Sequence, residues 1–527
     1  MKKGGILYLT FFLLVVALAP VGTDSAGAQD LRAKSLIVAN SALPQSLDPA
    51  VAYDPWSTIY NSGSYETLVR AKRVGGGFEP VLATKWESNE DGTIWTFHLR
   101  KGVKFHDGTP FNAEAVKFSI DRVMAVNKGP AWFYGPVKEI EVVDEHTVRF
   151  MLSEPYAPFL GVMGAAYGSL IVSPTAVKEH VKEDDPHAER WMQDHMVGTG
   201  PYVLQDWVKG QMVRLERFDG YWGGWTGNHL DRVIIRFVTE PATQKLMLEK
   251  GEVDIANNLT LEMLEKLTDS PAVNVVESPE ALNIMYVILN CQKEPTSNKL
   301  VRKAISCALD YDSVVKVIYG GHARRQRGPL PRIQWAFDES VPMYKRDLKL
   351  AREYLQKAGY PEGFSMTYAY FSEGGEHLRK QAELFQSNMA DIDIRVELQP
   401  MVLDPFITMG TGTAEERTEA FSTDWYPDFD HPSTWLDNFF HSSGVFLSTL
   451  LSNAELDKVL DEARQTHDPD KQIALYKKAQ EIIIEEAPAL FLADISYRVA
   501  MRKEVKGFQF HPLYSNIFNF YNMYLEQ

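Results

Sequence analysis

Trp95-Thr-Phe-His-Leu-Arg-Lys-Gly-Val-Lys-Phe-His-Asp-Gly-Thr-Pro-Phe-Asn-Ala-Glu-Ala-Val-Lys-Phe-Ser-Ile-Asp-Arg122 is the stretch that decides the fold class. Trp95, Phe97 and Leu99 alternate with Thr96, His98 and Arg100, the two-residue period of a half-buried strand. Lys101-Gly102 turns the chain, Val103 to Phe105 stays extended, and Asp107-Gly108 turns it again. Asn112 then stands where a helix cap belongs, ahead of Val116, Phe118, Ile120 and Val123. Strand, turn and helix in one short run mark a mixed α/β chain.

The same alternation continues on both sides. Ser35 to Asn40 reads as a short apolar strand, followed by the loop Leu43-Pro44-Gln45-Ser46-Leu47-Asp48-Pro49. Val203-Leu204 and Val213-Leu215 flank Lys209-Gly210 as a hairpin, Val233 to Val238 is a strand, and Pro241 opens a helix. Later segments predict helices over 300–318, 348–358, 377–389 and 454–486, with strands at 366–371 and 394–398. No repeat of fixed period appears. At 527 residues the chain exceeds what one core serves, so at least two lobes are expected.

The first residues point to export. Lys2 and Lys3 precede an uncharged run from Ile6 to Ala19, broken at Pro20 and Gly22 and followed by Ala26-Gly27-Ala28. That is the layout of a secretory signal peptide over 1–28, with a mature start at or near Gln29. The run is short for a bilayer-spanning helix. No Cys near Gln29 offers a lipid attachment, so a soluble periplasmic protein is expected. A net charge of −16 disfavours nucleic acid as a partner. Cys291 and Cys307 read either as a disulfide pair, expected within bridging reach, or as two buried thiols.

Catalytic patterns are sparse. There is no Gly-x-Ser-x-Gly elbow, no His-Glu-x-x-His and no Cys-x-x-Cys. His106-Asp107-Gly108 reads as turn chemistry rather than a metal pair. Gly198-Thr199-Gly200-Pro201 lacks the following Lys of a phosphate loop, and Pro201 removes an N–H donor, so it reads as a structural crossing. No enzyme activity, metal or cofactor is expected. A secreted hydrolase or chaperone-like protein is the contrasting possibility.

Several segments together resemble the peptide/nickel family of extracellular solute-binding proteins. They are 95–122, Val197-Gly-Thr-Gly-Pro-Tyr202 with Tyr221-Trp222, Gly251-Glu-Val-Asp-Ile255, Asn290 with Val301 to Ile305 and Ala308-Leu309-Asp310, Ala358-Gly359-Tyr360-Pro361, and Trp425-Tyr-Pro-Asp428-Phe-Asp-His-Pro432. Ala115 departs from the family's usual Asp. The resemblance implies a two-lobed α/β periplasmic-binding-protein fold with a discontinuous first lobe, an inserted domain, and a ligand between lobes that close by a hinge. The first lobe is expected from 29–55, 197–282 and 508–527, the insert from 56–196 and the second lobe from 283–507. Crossing strands are expected near 283–290 and 506–511.

It also implies a function: a monomeric receptor that delivers a peptide or peptide-sized solute to the permease subunits of an ABC importer. Nickel-chelate, haem and oligosaccharide are the alternative ligands. Carried over by position, Asp428 is expected to pair with a peptide's α-ammonium and Trp425 to lie beside the ligand. His377 is expected to reach its carboxylate, and Leu43 and Pro44 to run along its backbone. Asp428 otherwise reads as a loop cap, Trp425 as core and His377 as a solvated helix start. Oligopeptide binders carry an Arg shortly before the Trp, where this chain has Ser422.

Overall fold

The computed structural model describes residues 34–526 apart from 74–75, 280 and 516, so the expected signal peptide and the start at Gln29 lie outside the described residues. Three sheets organise the chain. The run Ser35–Asn40 is buried along most of its length and sits inside a seven-stranded sheet. It pairs in parallel with Arg232–Phe237 on one side and Ile255–Ala256 on the other. The hairpin Tyr202–Val208/Met212–Arg217 extends one edge, turning where Gly210 adopts a positive φ of 73°. Val273–Ser278 and Tyr497–Arg502 complete the opposite edge.

The second sheet has six strands centred on Ile284–Leu289, every residue of which is buried. Such a strand needs cover on both faces. Helices Lys299–Ala308, Leu348–Ala358 and Glu376–Ala390 supply apolar residues to one face, and Ser433–Phe440, Ala454–Gln465 and Pro469–Glu486 to the other.

The third sheet is the one announced by Trp95 to Arg122. Ala83–Ser88, Ile94–Leu99, Thr147–Leu152 and Val137–Asp144 form an antiparallel sheet, with Ala113–Val126 packed on it. Asn112 caps that helix as expected, its side chain accepting from the amide of Ala115. Arg122 reaches out of the helix and donates both guanidinium ends to Asp48 at 2.6 Å each. Both side chains are almost fully buried, and this pair fastens the loop after the first strand to the insert.

The crossings fall elsewhere than expected. Ile284–Leu289 is already the heart of the second sheet, so the first crossing falls before it, after Val273–Ser278. Ala489–Ile495 pairs with Ile284–Leu289 while Tyr497–Arg502 pairs with Val273–Ser278, so the chain returns at Ser496 and not near 507. The reason is pairing: each crossing joins strands already adjacent in both sheets, which sets the two connections side by side as a hinge requires. The apolar residues of the expected insert divide between two clusters: most from Leu68 to Ile171 pack together, whereas Val177, Ala188, Met192 and Met196 pack with Leu36 and Val38.

Two predicted helices are divided. Residues 300–318 break at Leu309, which is extended, and restart under a cap from Asp310. Residues 454–486 break before Pro469, with Asp468 capping the second helix. The cysteines are both free. Cys291 packs with the cluster on one face of the second sheet and Cys307 belongs to the cluster on the other, so the sheet itself separates them and the expected bridging reach is not found.

Candidate functional site

The loop after strand Ala420–Trp425 carries the candidate site. Asp428 is 6% exposed and lines a small cavity. The other walls come from distant parts of the chain: Thr58 from the first lobe, Tyr167 from the insert, Tyr426 beside Asp428, and Tyr514 and Ser515 from the C-terminal return. The cavity therefore lies where the lobes and the insert meet.

Each oxygen of Asp428 has one donor. The Tyr53 hydroxyl donates to Oδ1 at 2.6 Å and the Thr434 hydroxyl to Oδ2 at 3.1 Å. The backbone N–H of Asp428 donates in turn to the Thr434 hydroxyl. The loop is anchored by its next residue: Phe429 is buried in the insert's core, edge-on to Phe133 at 5.5 Å between centroids. Burial pushes the Asp428 carboxyl up to about 7, against the two hydroxyl bonds that favour its ionised form. No cation pairs with it among the described residues. A cationic group entering the cavity would restore the charge that burial disfavours, by a charge-assisted bond.

The other predicted residues are placed differently. Trp425 joins the second lobe's core, edge-on to Phe439 at 5.0 Å, although its indole N–H is buried without a partner. Leu43 is half-buried and Pro44 buried in a loop held by the Tyr60 hydroxyl on the carbonyl of Ala42; neither lines the cavity. His377, in the first turn of Glu376–Ala390, lies 6.0 Å from the Tyr319 ring, and burial pushes it down to about 4. It too lies outside the cavity around Asp428. Its neighbours Arg379 and Lys380 bond Glu376 and Glu383 on the exposed helix surface. Sequence reasoning missed Tyr53, Tyr167, Thr434 and Tyr514, none of which belongs to a periodic pattern.

The segments read as turns behave as turns. Asp107 accepts from the amide of Thr109, and His106 bonds the carbonyl of Gly200 at 2.9 Å. At Gly198 a Cβ would stand 2.1 Å from the Ser64 carbonyl oxygen, so that motif exists for close backbone approach.

Two lobes joined by paired crossings, with a carboxylate set between them, define a solute-binding receptor. Residues 77–446 match the family described as bacterial extracellular solute-binding proteins, family 5 Middle, and the chain belongs to that family. It is 34% identical over 498 residues to "Probable D,D-dipeptide-binding periplasmic protein DdpA" of Escherichia coli, covering 93% of this chain and 94% of that one. A periplasmic binding protein DppA from Helicobacter pylori, solved with the peptide STSA, superposes with a TM-score of 0.82 at 30% identity, covering 95% of this chain and all of that one. A dipeptide-binding protein from Pseudoalteromonas sp. SM9913, solved with Met-Leu, gives a TM-score of 0.82 at 26% identity, covering 93% of this chain and all of the other. The protein is periplasmic, as its relatives are. Among the described residues no helix is long and apolar enough to cross a membrane.

Proposed function

We propose that this protein binds a short peptide, or a solute of that size with a free ammonium, between its lobes. It then passes the ligand unchanged to the permease subunits of an ABC importer. The observation that carries the reading is Asp428, a buried carboxylate lacking a cationic partner in a cavity built from both lobes and the insert. The names of the relatives, dipeptide binders among them, support the same reading.

Native mass spectrometry of freshly purified protein tests it. The expected result is an added mass of a few hundred daltons, on the scale of small ligands, released on unfolding and identified as peptide. Metal chelate, haem or sugar in its place would overturn the ligand assignment. Cleavage of a bound peptide on incubation would overturn the non-catalytic role.

A further inference from the structure

A second carboxylate stands four positions before the first. Asp424 pairs in register with Met285 near the end of its strand, and its side chain is half-buried. Burial pushes its carboxyl up, and the donor that opposes this is its own backbone amide. Among the described residues it forms no ion pair. The phenols around it register its charge: Asp424 is the leading electrostatic influence on both Tyr319 and Tyr426 after burial. Tyr426 also lines the cavity of Asp428, so one phenol connects the two carboxylates.

Two buried oxygens nearby lack partners. Tyr319 is 7% exposed and its hydroxyl is buried with no partner. Asn283 is 6% exposed; its side chain bonds the Tyr426 phenol, yet its Oδ1 is buried and unpartnered. His377 flanks Tyr319. Natively buried polar groups are almost always bonded, and these two oxygens beside an unpaired carboxylate fit an incoming donor. An alkylammonium carries three N–H donors and no acceptor. It matches a carboxylate, an amide oxygen and a phenol oxygen, and aromatic rings beside it add a cation–π contribution.

We propose that Asp424, with Tyr319 and Asn283, is a second cation-binding subsite, which gives the receptor a preference for ligands with a second positive group, such as a peptide with a lysine-type side chain. The proposal rests on the reading that Asp428 holds the ligand's ammonium, and it adds a specificity that Asp428 alone does not provide.

Calorimetry with matched dipeptides tests it: Lys-Ala against norleucyl-Ala, and Ala-Lys against Ala-norleucine, on wild type, Asp424→Asn and Asp428→Asn. In at least one pair, wild type should prefer the lysine member by about tenfold or more, the effect of one charge-assisted bond. Asp424→Asn should lose that preference and keep its norleucine affinity, whereas Asp428→Asn should weaken both members. Tyr319→Phe, which keeps the ring, should reduce the preference severalfold and serves if Asp424→Asn does not fold. Equal binding in both pairs, or a preference that survives Asp424→Asn, overturns the proposal. If no dipeptide binds, the peptide reading fails, and 1,5-diaminopentane against 1-aminopentane makes the same comparison without it. No preference for the diamine there overturns the subsite as well.

Discussion

The hydroxyl of Tyr53 donates a hydrogen bond to Oδ1 of Asp428 at 2.6 Å, joining residues 375 positions apart and on different lobes. The bond ties the candidate anchor to a segment far from it in the chain.

Asp428→Asn keeps the shape of the anchor and removes its charge. For a peptide with a free amino terminus the affinity should fall at least about tenfold, since truncating a buried charge pair costs about 2–5 kcal/mol and 1.4 kcal/mol is a factor of ten. N-acetylation of the peptide should cost wild type much and the variant little. Calorimetry on both proteins with both ligands closes the cycle. Unchanged affinity would make Asp428 a loop residue, and failure to fold would make it a cap.

Binding should depend on pH with a definite sign. Burial puts the Asp428 carboxyl at about 7, while an ammonium ligand requires it ionised. Below about pH 7 binding must therefore expel a proton, and affinity should fall by about tenfold per unit as pH decreases. Above that the affinity levels off, then declines once the ligand's α-ammonium, with a pKa of about 7.7–8.0, deprotonates. Calorimetry in buffers of different ionisation enthalpy should find about one proton released at pH 5.5, close to none near pH 7.5 and net uptake above about pH 8. Asp428→Asn should lose the acid limb. A wild-type affinity that is flat between pH 5.5 and 7 would contradict the assignment.

Tyr53→Phe removes a bond between segments expected on different lobes. A hydrogen bond to a charged group contributes about 1.5–3 kcal/mol net, so the variant should shift toward open lobes and bind more weakly. Small-angle scattering should show the radius of gyration shrinking when ligand is added to either protein, with more ligand needed for the variant. Identical titrations for the two proteins would separate Tyr53 from closure.

Cys291 and Cys307 should resist thiol reagents in the native protein. Burial pushes both thiols up to about 11, which leaves little thiolate to react. A disulfide-exchange chromophore should titrate both thiols on unfolding in denaturant and react far more slowly without it. Finding no free thiol after unfolding would mean that the two cysteines are joined after all.

The sequence carried the local structure well. The strand–turn–helix of Trp95 to Arg122 and the hairpin at Lys209-Gly210 form as their spacing predicts, because neighbouring residues determine both. The break at Asp468-Pro469 also had a local signal, a cap followed by a proline. The break at Leu309 had none in the periodicity, since Val301, Ile305, Val314 and Ile318 all face the same cluster across it. Lobe membership was not legible where an adjacent strand in another part of the chain decides it, as for Tyr497–Arg502. Asp428 was found by family position, but its partner Tyr53 lies 375 positions away, a contact that no spacing encodes.

The seven-stranded sheet also bears on how the chain is made. Tyr497–Arg502 lies inside it, bonded to Val273–Ser278 on one side and Ile255–Ala256 on the other. A polypeptide made and threaded from its amino terminus cannot close that gap until synthesis is almost over. The first lobe is thus denied a finished sheet for nearly the whole passage of the chain through the export channel.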